Sequence, residues 1–181
     1  MQSSTPRQEN TKKCNGNMES KSFNWDAADF FRRLTESNKL ARKHGFRFCL
    51  VSSLEGFEEA LANMQNTTAF VCVSDISTGS TELANSPRTT RTKTVFFAVR
   101  HKIDDMKARM EAFELQRELF RQFMSKLILE STRLAENRIF IDQRIRFSEI
   151  EKYFFSGCAC SFFNISVSTY TDLRLNDDEW E

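Results

Sequence analysis

The fold is decided by residues 92–131, TKTVFFAVRHKIDDMKARMEAFELQRELFRQFMSKLILES, where one spacing of apolar residues gives way to another. In the first part the side chains alternate, with Val95, Phe97 and Val99 on one face, and this alternation predicts a β-strand. From Asp104 the apolar residues recur every three or four positions, which predicts a long amphipathic helix. We expect this helix to bury its broad apolar face against a sheet or a partner.

The N-terminal half predicts the elements that precede this strand. Apolar side chains at helical spacing over residues 27–41 predict an N-terminal helix that stops at Gly45. In FRFCLVS at 46–52 the side chains alternate in character, which favours a strand. The apolar residues of 54–64 recur every three or four positions, as in a short amphipathic helix. TTAFVCVSDIS at 67–77 has an almost continuous apolar centre, which is typical of an inner strand.

A polar stretch, TGSTELANSPRTTRTK, separates the inner strand from the strand described first. It is too long for a tight turn, so we expect an extended hairpin loop over about residues 78–92. Arg88, Arg91 and Lys93 lie among hydroxyl residues in this stretch, a composition suited to phosphate contacts with DNA or to contacts with a partner. The alternative is a solvated hairpin tip without a ligand.

The last third of the chain returns to strand patterns. RIFIDQRIRF at 138–147 and KYFFSGCACSFFNISVSTYTDLRL at 152–175 predict the closing strands, with a bend or bulge at Gly157. The order of elements predicts an α+β fold: a mostly antiparallel sheet with a long hairpin, packed by the N-terminal helix, the short helix and the long helix. We expect a single domain over residues 23–181 after a flexible polar arm at 1–22.

Cys158 and Cys160 are separated by one residue, as in a metal knuckle, a redox pair, or two small side chains on one strand face. A tetrahedral zinc site needs four ligands, usually two close pairs, and the other candidate ligands stand singly in the sequence. These are Cys14, Cys49, Cys72, His44 and His101. The residues next to Cys158 and Cys160 supply no activating cation. We therefore expect packed structural cysteines and no metal, cofactor or catalytic residue.

The strand with these two cysteines has apolar residues on both of its faces. Phe163, Ile165 and Val167 share one face, which we expect the long helix to cover. The cysteines share the other face, which a second layer or a neighbouring subunit would cover. A subunit interface on that side would comprise Phe96, Cys158, Cys160 and Phe162.

The composition restricts the classes of protein that remain. A net charge of +1 disfavours a protein that coats nucleic acid through bulk charge. No window approaches the roughly 18 consecutive apolar residues of a membrane span, and the N-terminus lacks the apolar core of a signal peptide. The five cysteines are an odd number and do not indicate a secreted disulfide framework. We expect an intracellular chain without membrane association or a small-molecule substrate.

This order of elements resembles that of the tail-terminator and head–tail joining (neck) proteins of long-tailed bacteriophages. The matching parts are NWDAADFFRRLTESNKLARKHG, the hairpin from TTAFVCVSDIS to TVFFAVRHKI, DDMKARMEAFELQRELFRQFMSKLI and GCACSFFNISVSTYTDLRL. They cover roughly residues 23–175. The polar arm and the phenylalanine-rich strands depart from the family's pattern.

The resemblance implies a non-enzymatic virion assembly protein, present in the tail or neck and in the host cytoplasm during assembly. Such proteins close into a ring, usually a hexamer, that caps the tail tube and contacts tail-tube and neck or connector proteins. Arg88, Arg91 and Lys93 would then face the DNA channel or the neighbouring ring. The alternatives are a small intracellular adaptor that binds a protein or nucleic acid, and an enzyme that uses Cys158 and Cys160 or a metal.

Overall fold

The computed structural model describes most of the chain from Trp25 onward. The described residues are 25–52, 56, 59, 62–64, 66–84, 86–102, 104–150 and 157–180. The predicted polar arm at 1–22 lies outside them, as does most of the predicted short helix at 54–64. The described positions of that segment that are helical are Gly56, Glu59, Ala62 and Asn63.

In the described part of the chain, seven strands form one sheet. They are β1 (Phe46–Val51), β2 (Ala69–Ser74), β3 (Thr78–Glu82), β4 (Arg88–Arg100), β5 (Ile139–Ile141), β6 (Phe147–Glu149) and β7 (Cys158–Tyr170). Neighbours follow the order β1-β2-β4-β7-β5, with β3 paired to β4 and β6 paired to β7. β1 and β2 are parallel, and the other described pairs are antiparallel. The predicted α+β fold with a mostly antiparallel sheet is confirmed.

The helices are α1 (Ala27–Ser37), α2 (Lys39–Lys43) and the long α3 (Met106–Glu136). The predicted N-terminal helix is thus interrupted at Asn38, whose side-chain oxygen accepts a hydrogen bond of 2.8 Å from the Ala41 N–H and so caps α2. Asp26 and Asp105 cap α1 and α3 in the same way. Gly45, with a φ of +68°, follows α2 in the left-handed conformation that ends many helices. No helix in the described part combines the length and apolar composition that crossing a membrane requires.

α1 and α3 pack on one face of the sheet, called here the first face. Its core is aromatic, because Phe97 of β4 and Phe163 of β7 pack edge-on at a centroid distance of 5.6 Å. Phe31 of α1 lies 5.6 Å from Phe163, and Phe123 of α3 lies 5.7 Å from Phe97. Edge-on pairs of this kind contribute about 0.5–1.5 kcal/mol beyond the area that they bury. The long helix therefore covers the Phe163 face, as predicted.

The predicted hairpin loop over residues 78–92 is wrong, because most of it is paired strand. β3 pairs with the first part of β4 in a continuous antiparallel register, and only residues 83–87 connect the two strands. β-Branched threonine favours strands even on a polar surface, and the Thr81 and Thr89 hydroxyls lie 3.0 Å apart across the pair. Because β3 is exposed along its length, its polar side chains keep their contact with water.

Candidate functional site

The second face of the sheet, opposite α1 and α3, divides into two parts of different chemistry. Nearer the β3–β4 hairpin, polar side chains of β4 and β7 form cross-strand hydrogen bonds, here called the hydroxyl ladder. Its pairs are Thr90–Ser168 at 2.7 Å, Thr92–Ser166 at 2.7 Å and Thr94–Asn164 at 2.9 Å. A cavity of about 180 Å³ next to the ladder is walled by Val51, Ile76 and Phe96 among others. Hydroxyl groups both donate and accept, so this strip can pair with polar groups of a partner.

The other part of the second face is a buried cysteine cluster. Its buried members are Val51, Phe70, Cys72, Ala98, Cys158 and Cys160. Burial raises the pKa of the thiols of Cys72, Cys158 and Cys160. Since the thiolate is the nucleophile, these three side chains stay protonated and weakly reactive at neutral pH. The prediction that Cys158 and Cys160 are packed side chains is confirmed by exposures of 5% and 2%.

Of the four residues predicted for a subunit interface, Phe96 and Phe162 keep accessible surface. They are direct partners across β4 and β7, with ring centroids 6.1 Å apart, and both are half-buried. Cys158 and Cys160 are buried within the single chain, so they lack the surface that a subunit contact needs. An interface role for the phenylalanine pair stays a prediction.

The structure does not bring the three predicted basic residues into one patch. Arg88 lies on the second face with its guanidinium over the Phe140 ring, 4.9 Å from the centroid. Arg91 and Lys93 alternate with it onto the first face, where both line one cavity. The Lys93 ammonium also donates to the carbonyl oxygens of Ser74 at 2.9 Å and Asp75 at 2.7 Å. A joint phosphate site would therefore need cations from opposite faces of the sheet.

The fold brings together two cysteines whose pairing the sequence did not predict. Cys49 of β1 and Cys72 of β2 are direct partners in the parallel register, and their Sγ atoms lie 2.7 Å apart. Cys49 is half-buried, whereas Cys72 is fully buried. The hydrogen bond with Cys72 lowers the pKa of the Cys49 thiol. Cys49 is therefore more exposed than Cys158 and Cys160, the pair that the sequence singles out, and its thiol ionises more readily.

An apolar groove lies between α3 and β5, and the sequence did not predict it. It has a volume of about 510 Å³, with Phe120, Leu127 and Ile128 on the helix side and Ile141 on the sheet side. Ile128 is 66% exposed, so the rim of the groove is open to solvent. A cavity of this size and lining can receive an apolar side chain of another protein.

The remaining candidate residues have local structural roles. His44 follows α2 as its C-cap residue, and the Nδ1 atom of His101 lies 2.8 Å from the Lys102 carbonyl oxygen. Among the residues that the structure describes, no group of three His, Cys, Asp or Glu side chains is placed to hold a metal ion. Comparison with protein-family models and with curated proteins finds no match to this chain.

Proposed function

We propose that this chain is a virion structural protein of the head–tail junction that forms a ring capping the tail tube. The order of elements carries the proposal: an N-terminal helix, a strand, a β-hairpin, a long helix across the sheet and closing strands, with α1 and α3 on one face. This is the order found in the tail-terminator and neck proteins that the sequence resembles. A protein of this kind assembles with its partners and catalyses no reaction.

Ring closure needs two different patches on each subunit, because head-to-tail interfaces join unlike surfaces. The apolar groove between α3 and β5 supplies a concave patch. Leu83, in the turn between β3 and β4, supplies a protruding apolar side chain that is 80% exposed. We infer that Leu83 of one subunit enters the groove of the next, beside Ile128.

The phosphate contacts that the sequence suggested are not required for this assembly. Arg88 and Arg91 lie on opposite faces of β4, and Lys93 is bound to main-chain oxygens. In the ring, both arginines lie in the first part of β4, directly after the hairpin turn that meets the neighbouring subunit. They are therefore placed for contacts with the next subunit or ring, and any contact with DNA in the channel would be non-specific.

Native mass spectrometry of the full chain tests the proposal. We expect one large closed stoichiometry, six copies, rather than a distribution of sizes. Leu83→Asp places a charge in the apolar groove, and the variant should run as a monomer, because an unpaired charge is costly to bury. Ala84→Asp introduces the same charge at the neighbouring exposed position and should keep the ring.

The outcome separates the ring from the adaptor. A wild-type chain that stays monomeric or dimeric at every concentration, and also in the presence of tails, would count against the ring and favour an adaptor. Ile128→Glu tests the other side of the contact and should also give monomers. Circular dichroism of each variant establishes that the fold is kept.

A further inference from the structure

Cys49 and Cys72 meet the geometric conditions for a reversible disulfide. They are paired in register on neighbouring strands, which lie about 4.8 Å apart in a sheet. That spacing falls within the Cα separations of about 4.4–6.8 Å that disulfides span. The two thiols are free, and their Sγ atoms already face each other at 2.7 Å.

The same distance disfavours a shared metal ion as the role of this pair. Two thiolates bound to one zinc ion at about 2.3 Å with tetrahedral angles lie about 3.8 Å apart. The observed 2.7 Å is far shorter. The described residues also supply no third side chain that would complete such a site.

Cys49 and Cys72 differ in solvent exposure, and this difference suits them to different steps of an oxidation. Cys49 lies on β1, the terminal strand of the sheet, and is half-buried. Cys72 lies on the inner strand β2 with 0% exposure. The hydrogen bond from Cys72 also favours the thiolate of Cys49. An oxidant from solvent therefore reaches Cys49 first. Cys72 is buried beside it on the neighbouring strand.

We propose that Cys49 and Cys72 form a dithiol–disulfide pair that hydroperoxides oxidise and small thiols reduce. The Cys49 thiolate attacks the terminal peroxide oxygen, the O–O bond breaks, and the departing alkoxide or hydroxide takes a proton, leaving a sulfenic acid on Cys49. The Cys72 sulfur then attacks the Cys49 sulfur, and water leaves with the sulfenic oxygen and the Cys72 proton. Two molecules of a reducing thiol return both cysteines to the thiol form and become a disulfide.

The experiment treats the full reduced chain with hydrogen peroxide and maps its disulfides by mass spectrometry after digestion. We expect a Cys49–Cys72 disulfide, a fall from five to three free thiols under denaturing conditions, and full recovery with dithiothreitol. Cys158→Ala should form the same disulfide, with a fall from four to two free thiols, because Cys158 takes no part.

Cys72→Ala removes the second sulfur, so oxidation should stop at the sulfenic acid of Cys49, which dimedone labels. If this core variant does not fold, Cys49→Ala at the half-buried position tests the first step, attack on the peroxide, and should leave Cys72 reduced. A disulfide between any other two cysteines, or a wild-type chain whose Cys49 and Cys72 both stay thiols, overturns the proposal. Neither result bears on ring formation, which native mass spectrometry measures separately.

Discussion

At the scale of single residues, Gln116 is the polar group that fixes α3 on the sheet. It is fully buried, and its amide nitrogen donates to the Ala159 carbonyl oxygen at 2.8 Å. Its amide oxygen accepts from the Ser161 hydroxyl, which is also buried. Both ends of one side chain thus satisfy polar groups of β7 that water cannot reach, and such groups are costly when they lack a partner.

We expect Gln116→Leu to lower the free energy of unfolding by about 2 kcal/mol, because it leaves the buried Ser161 hydroxyl unpaired and removes the side-chain hydrogen bond to the Ala159 carbonyl oxygen. Urea denaturation followed by circular dichroism measures the change. Gln143→Leu, at an exposed position, is the matched control and should stay within about 0.5 kcal/mol of the wild type. Equal stability of the two variants would show that the β7 groups find other partners.

At the scale of elements, the sequence predicted those parts whose apolar residues keep a regular period. The spacing of apolar residues changes near Asp104 from alternation to every three or four positions, and this change predicts β4 and α3. Alternation of side chains along β7 predicts which residues share each of its faces. The sequence did not predict the β3–β4 pairing, because both strands are polar there and show no apolar period. Pairing with the neighbouring strand, and not burial of apolar side chains, stabilises them. Cys49 and Cys72 were missed for a related reason: each is the fourth residue of its strand, but only the parallel register places them side by side.

The β3–β4 hairpin depends on a glycine that admits a close approach of two strands. A Cβ atom at Gly79 would lie 2.8 Å from the Thr90 carbonyl oxygen, which is main chain and cannot rotate away. We expect Gly79→Ala to weaken the pairing by about 1–3 kcal/mol, the usual range for overpacking.

Amide hydrogen exchange of β3 should therefore accelerate by roughly 5- to 100-fold, since 1.4 kcal/mol is a factor of ten in an opening equilibrium. Exchange in the core of β2 and β4 should not change, because the affected pairing lies outside it. Ser80→Ala, the next residue along the same exposed strand, is the control and should exchange like the wild type. Unchanged exchange in Gly79→Ala would mean that the strands separate slightly at no cost.

At the scale of the whole molecule, the residues that stabilise the fold and the cysteines that can react lie on different faces of the sheet. The first face holds the aromatic core with α1 and α3, so changes there act on folding. The second face holds the hydroxyl ladder and the cysteine cluster, and the proposed redox pair lies at its β1 edge. Oxidation at this edge would join a terminal strand to its inner neighbour without disturbing the aromatic core.

The disulfide should therefore make the whole chain more stable. Joining residues that are 23 apart restricts the unfolded chain, which for a loop of that length is worth about 3 kcal/mol. With a urea slope of about 2 kcal/mol per molar, the unfolding midpoint should rise by about 1.5 M after oxidation. Cys49→Ala, treated in the same way, should show no rise. A midpoint that is unchanged or lower in the oxidised wild type would mean that the bond distorts the β1–β2 pairing by as much as it restricts the unfolded chain.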